Sequence, residues 1–140
     1  MMDNDELLEK ALYVATEAAK LLLGKHGTVL PFALTLDSQG DDVKTYFPAD
    51  KLPGAEPGEL VDAAATHLEQ CIRSTDVGVI ALGTELVSGE QAGLGVQIET
   101  RSASVFIVYP YIGKGRSQQL GKPEAAEGLL VGPLLTRDAQ

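Results

Sequence analysis

The sequence has few of the residues that build disulfide-linked or metal-held folds. Cys71 is its only cysteine, and His26 and His67 are its only histidines. A single cysteine forms no intramolecular disulfide, so an oxidising compartment would add nothing to the stability of this chain. A structural zinc site needs about four ligands, more than the cysteine and histidines together supply. We therefore expect a protein of a reducing compartment that holds no metal or other cofactor.

Long apolar stretches are also absent. No run approaches the roughly 20 apolar residues of a membrane-spanning helix. The first six residues, MMDNDE, are acidic where a secretory signal would carry positive charge. These two features predict a cytoplasmic protein with no membrane partner.

Basic residues are scarce relative to acidic ones. The chain has 11 lysines and arginines against 20 aspartates and glutamates, a net charge of −9. A negative surface repels nucleic acids and anionic membranes at long range, which makes both improbable partners. Residues 1–70 carry 13 acidic and 5 basic groups, so the field belongs to the first half. That half is either a solvated face or a docking face for a basic partner.

Short catalytic motifs are missing as well. The sequence contains no HExxH, CxxC or GxSxG. Residues 113–117, GKGRS, lack the GxxxxGK[ST] spacing of a phosphate-binding loop. Lys114, Arg116 and Lys122 are nevertheless the only charged residues of the segment 102–123. In place of a phosphate-binding loop, these three basic residues could form a local site for an anion or an acidic partner. The missing motifs leave little support for a hydrolase.

The hydrophobic pattern that is present predicts an α+β domain. Apolar residues recur at helical spacing over about residues 4–23 and 57–73, and they alternate as in strands elsewhere. A chain of 140 residues fits one domain with a real core. The predicted order is α-β-β-α-β-β-β, with a five-stranded, mainly antiparallel sheet and two helices over residues 1–112. The segment 96–111 is the clearest hairpin, and the run VGVIAL at 77–82 predicts a central strand covered on both faces.

The segment 113–140 is predicted to be an irregular, Gly/Pro-rich tail. Glycines and prolines interrupt it too often for a regular element. Its run LLVGPLL at 129–135 is too apolar to leave in water. We expect it to dock on the domain or on a partner subunit.

The best catalytic candidate is the pair His67 and Cys71. Their separation of four residues puts both side chains on one face of the second helix, as a thiolate–imidazole pair or two metal ligands would require. Leu60 and Ala64 lie on the same stripe. Cys71 is therefore more simply interpreted as a small core residue, with His67 at its border.

Other possible interaction or pocket residues flank the 96–111 hairpin. Arg101 is expected to share a strand face with Glu99, as an exposed charge pair. Tyr109 and Tyr111 also share a face on either side of Pro110, either packed at the core rim or lining a groove. The proline marks a strand end or a sheet edge.

The element order, together with the predicted strand and turn FALTLDSQG at 32–40, resembles roadblock/LC7 and profilin-like domains over about residues 4–112. The chain is also similar to small bacterial α+β proteins. The resemblance implies a five-stranded antiparallel sheet with helices packed on it, no enzymatic activity and frequent dimerisation. The Pro/Gly-rich link at 48–58 and the absence of a predicted third helix depart from it. Fold alone does not fix function.

Two functional hypotheses follow. The first is a non-enzymatic cytoplasmic protein that self-associates as a homodimer or binds another protein, as an adaptor, regulator or immunity-type inhibitor. The second is a small enzyme or ligand-binding module. Its pocket would lie between the sheet, the 48–58 connection and the second helix, and would use His67, Cys71, Tyr109 or Arg101.

Overall fold

A computed structural model describes residues 2–113 and 118–138, without the side chains of 137 and 138. Two long helices pack on an antiparallel sheet, as the sequence predicts. The elements are α1 (Asn4–His26), β1 (Phe32–Leu36), β2 (Val43–Tyr46), a 3₁₀ turn (Pro48–Asp50), α2 (Pro57–Ser74), β3 (Val79–Ser88), β4 (Gln91–Glu99), β5 (Ser104–Ile112), β6 (Gln119–Leu120), β7 (Glu124–Ala126) and α3 (Leu135–Asp138).

The sheet has seven strands, so the prediction of five is wrong in this detail. Its order is β2-β1-β3-β4-β5-β6, and β7 also pairs with β5. The two additional strands are only two and three residues long and lie in the segment predicted to be irregular. Strands of two or three residues are too short to show an alternating pattern in the sequence. They form because the edge of β5 offers unpaired backbone groups to this segment.

The long helices cover opposite faces of the sheet. The face that contacts α1 presents the large apolar residues of β1 and β4, among them Phe32, Leu34 and Val96. The other face contacts α2 through Ala33, Ile80 and Leu82. Strand β3 contributes to both clusters, as the apolar run at 77–82 predicts. The protein therefore has two hydrophobic core layers, one between α1 and the sheet and one between α2 and the sheet.

Helix α1 ends three residues later than its first glycine suggests. Asp3 caps its N-terminus by accepting a hydrogen bond from the N–H of Glu6 at 2.9 Å. Gly24 stays helical, and Gly27 forms the C-cap with φ of +73°, where its N–H donates to the Leu23 carbonyl. The left-handed conformation that ends the helix is adopted at Gly27 rather than at Gly24, and glycine adopts it without steric cost.

Candidate functional site

A half-open groove lies beside the C-terminal end of α1. Its volume is about 430 Å³, within the range of small-molecule and side-chain binding pockets. The groove is lined by Leu21, Leu22, Lys25, His26, Leu30, Pro31, Phe47, Ala49 and Asp50. Most of these side chains are apolar, so the groove offers a hydrophobic floor with a few charged groups at its rim.

The groove exists because three segments of chain meet there. Helix α1 runs on to His26, which adds one more turn of side chains than an ending at Gly24 would give. Pro48 begins the 3₁₀ turn after β2 and brings Ala49 and Asp50 to the opposite wall. The Phe47 ring lies with its centroid 6.3 Å from that of Phe32, so it is anchored to the core. The walls are thus held by regular elements.

The rim of the groove exposes apolar surface and charge together. Leu21 is 75% exposed, the highest value among the large hydrophobic side chains described. Lys25 and His26 follow it in the last turn of α1, where basic groups interact favourably with the terminal carbonyls. Asp50 stands on the other wall. A single exposed leucine is ordinary on a protein surface, but Leu21 is continuous with the apolar lining of the groove.

The tip of the β3–β4 hairpin lies at the same end of the sheet as the groove. The N–H of Glu85 donates to the Val29 carbonyl at 3.0 Å, which joins the outgoing half of β3 to the loop after α1. Val87 near the tip is 69% exposed. Gly89 makes the turn with φ of +63°, a conformation that glycine adopts without steric cost.

His67 and Cys71 meet on α2, away from this groove. Cys71 Sγ lies 3.5 Å from His67 Nε2, and both residues are partly exposed. The imidazole stacks on the Tyr46 ring with centroids 4.0 Å apart and planes at 11°. Partial burial lowers the pKa of His67, which favours the neutral imidazole and makes it a weaker base. The distance between Sγ and Nε2 allows a hydrogen bond between the thiol and the neutral ring.

The other predicted site residues do not gather at either place. Arg101 lies in the β4–β5 turn, at the opposite end of the sheet from the groove. Its charge adds to the hydrogen bonds from Ser38 that lower the pKa of Asp76. Lys114 and Arg116 lie outside the described residues.

The two tyrosines of β5 pack on the α1 side of the sheet. Tyr109 is buried in the core cluster under α1, and burial raises its pKa. Tyr111 packs against the same cluster. Its hydroxyl is buried without a hydrogen bond of normal geometry to the described residues. Burial raises the pKa of Tyr111, and the negative charge of Glu85 raises it further. Neither tyrosine lines the groove at the end of α1.

A buried polar pair on β4 holds the end of the chain. Gln97 and Glu99 point to the α2 side of the sheet and are fully buried, contrary to the exposed Glu99 expected from the sequence. The Gln97 side-chain carbonyl accepts the N–H groups of Leu130 at 2.9 Å and Val131 at 3.1 Å. This polar pair is what the apolar tail segment docks on.

Glu99 completes the attachment. Its carboxylate accepts the N–H of Leu134 at 2.9 Å, the N–H of Thr136 at 3.0 Å and the amide of Gln97 at 2.9 Å. Leu134 and Leu135 are buried in the α2-side cluster. The strand alternation predicts on which face Glu99 lies, but only the distant tail shows that this face is covered.

Helices long and apolar enough to span a membrane do not occur in the described part of the chain. Within residues 2–113 and 118–138, no three His, Cys, Asp or Glu side chains are grouped to hold a metal ion. No protein family model, curated protein or solved structure matches the chain. The resemblance to roadblock/LC7 and profilin-like domains thus rests on element order alone and stays a prediction.

Proposed function

We propose that this chain is a non-enzymatic protein of the cytoplasm that binds protein through the groove at the end of α1. Its support is the combination of an apolar groove of about 430 Å³ with the 75% exposure of Leu21 at the rim. A contiguous apolar patch with polar residues at its rim is typical of an interaction surface, and Leu21 together with the groove forms such a patch. Adaptor, regulator and immunity-type inhibitor are roles that such a protein would serve.

Replacing Leu21 with aspartate tests this function. We expect the change to weaken association at least about tenfold, because it puts a charge into the apolar contact. Native mass spectrometry of the purified protein reports the bound species directly. Tyr13→Asp is the matched control, since Tyr13 is 66% exposed on the same helix but does not line the groove.

The two variants separate the groove from the remaining helix surface. Loss of association in both would indicate a general effect of charge on α1. A wild-type complex that Leu21→Asp leaves intact at every protein concentration would exclude the groove as the binding site of that complex.

A second candidate function, thiol chemistry at Cys71, is favoured by the 3.5 Å distance from its sulfur to His67 Nε2. In this function the neutral imidazole would accept the thiol proton as the sulfur attacks an electrophile. Tyr46 keeps the ring oriented by stacking. This arrangement would serve a small enzyme or a module that binds an electrophilic ligand. It has no third group that orients His67 through a hydrogen bond in the described residues.

Iodoacetamide labelling of Cys71 measures this activation. In the folded protein we expect His67→Ala to slow the labelling about three- to tenfold, because the thiol loses its proton acceptor. Labelling in concentrated urea is the control, and there the two proteins should react alike. Equal rates in the folded proteins would remove the thiol hypothesis.

A further inference from the structure

The β3–β4 hairpin tip projects beyond the sheet. Pairing of β3 with β1 stops at Gly83, and pairing of β4 with β5 stops at Gly93. The last two rungs, Val87 with Ala92 and Ser88 with Gln91, therefore pair only with each other. Within residues 2–113 and 118–138 no strand pairs with these two rungs on either side, so the tip offers its outer backbone groups to a partner's surface.

The hairpin tip carries the same kind of surface as the groove rim. Leu21 and Val87 have the highest exposures among the large hydrophobic side chains described, at 75% and 69%. Leu21 lies near the C-terminal end of α1, and the loop that follows this helix is hydrogen bonded through Val29 to Glu85, two residues before Val87. Both exposed side chains therefore lie at the same end of the sheet. The groove, at about 430 Å³, has room for the Val87 side chain together with neighbouring residues of the hairpin tip. Two unpartnered apolar features thus occupy one end of the molecule.

Charge is complementary between the two features. Glu90 is exposed at the hairpin turn, and Lys25 lies with His26 at one end of the groove. Neither Lys25 nor Glu90 forms an ion pair within residues 2–113 and 118–138. Asp50 also lines the groove and has the same charge as Glu90. Lys25 is therefore the charged lining residue that would attract an acidic tip, whereas Asp50 would repel it.

We propose that the occupant of the groove is the β3–β4 hairpin tip of a second copy of this chain. Val87 of each copy enters the apolar groove of the other, and Glu90 faces the partner's Lys25. Because tip and groove lie at the same end of one molecule, a two-fold axis at that end makes both contacts at once and closes the dimer. This inference rests on the proposed function, since it names the partner that the groove binds.

A charge-swap experiment tests this pairing. Sedimentation velocity at 0.15 M salt, where the long-range repulsion between two chains of charge −9 is largely screened, measures the dimer dissociation constant. Lys25→Glu and Glu90→Lys should each weaken the dimer about tenfold, because each places like charges together twice. The double variant K25E/E90K restores opposite charges and should return to within about threefold of wild type. Val87→Asp should weaken the dimer more than either charge variant.

Matched controls keep net charge out of the comparison. Lys20→Glu gives the same net charge as Lys25→Glu but lies outside the groove, and Glu9→Lys matches Glu90→Lys on the distant half of α1. Neither control should change the dissociation constant by more than about twofold. Thermal unfolding of each variant shows that it is folded.

The outcomes separate the two proposals. A dimer that Leu21→Asp disrupts and Val87→Asp does not would leave the groove as a binding site but overturn the hairpin as its occupant. Failure of K25E/E90K to recover would overturn the Lys25–Glu90 contact. A wild type that stays monomeric overturns the second copy as occupant, whatever Leu21→Asp does to binding of another protein.

Discussion

Replacing Glu99 with alanine is expected to destabilise the protein by about 3 to 5 kcal/mol. The substitution removes the acceptor for the N–H groups of Leu134 and Thr136 and for the Gln97 amide, all of which lie within 3.1 Å of the carboxylate. The segment that buries Leu134 and Leu135 then loses the hydrogen bonds of Leu134 and Thr136 that hold it on the sheet. Urea unfolding measures the effect, which should lower the midpoint by at least about 1 M.

A conservative variant and a control variant show whether the loss of stability comes from the hydrogen bonds of Glu99. Glu99→Gln keeps one acceptor oxygen in the same place, so we expect a smaller loss than with alanine. Glu124→Ala, at an exposed glutamate of β7, should change the free energy of unfolding by less than about 0.5 kcal/mol. An unchanged midpoint for Glu99→Ala would mean that the tail contributes nothing to global stability.

The second large effect is expected from the cross-strand pair of Phe32 and Gly83. Phe32 is fully buried, and Phe32→Ala should destabilise the protein by about 3 to 5 kcal/mol. A Cβ on Gly83 would lie only 2.6 Å from the Phe32 ring, so Gly83→Ala alone should cost about 1 to 3 kcal/mol. In the Phe32→Ala background the added methyl group partly fills the cavity, and Gly83→Ala should become neutral or stabilising.

A double-mutant cycle of urea unfolding free energies tests this coupling. Gly58→Ala is the control, because a Cβ there meets nothing within 4 Å and alanine favours the helix α2. Additive effects of Phe32→Ala and Gly83→Ala would show that the ring does not exclude a side chain at position 83.

The main elements follow from local sequence patterns. Alternation predicts the hairpins β1–β2 and β4–β5, and the spacing of Leu7, Ala11 and Ala15 predicts the buried stripe of α1. These patterns are reliable because each element must turn one face to a core, whatever its partner is. The sequence of neither helix, however, predicts that α1 and α2 pack on opposite faces of the sheet.

Features that depend on distant residues escape such patterns. Glu99 looks like one member of an exposed charge pair until Leu134, 35 residues later, covers it. Strands β6 and β7 depend on the free edge of β5. The sequence predicts that α1 ends near residue 23, at Gly24, whereas the helix continues to His26 and Gly27 forms its C-cap.

The candidate site shows the same division. The sequence predicts a pocket at the 48–58 connection, and Ala49 and Asp50 do line a groove. Its other wall is α1, however, rather than the predicted α2, because β2 delivers the connection to the α1 end of the sheet. Spacing alone predicts the contact of His67 with Cys71, since i and i+4 residues of a helix are neighbours.

The Gln97–Glu99 pair also makes one face of the sheet depend on the end of the chain. A chain cut between Glu99 and Leu134 keeps the Gln97 amide as a donor to the carboxylate but loses the N–H groups of Leu134 and Thr136. Burying a charge that lacks such donors costs several kcal/mol, so this part of β4 would remain hydrated in the cut chain. The cut chain would therefore expose a partly apolar, hydrated sheet face, the kind of surface that leads to aggregation.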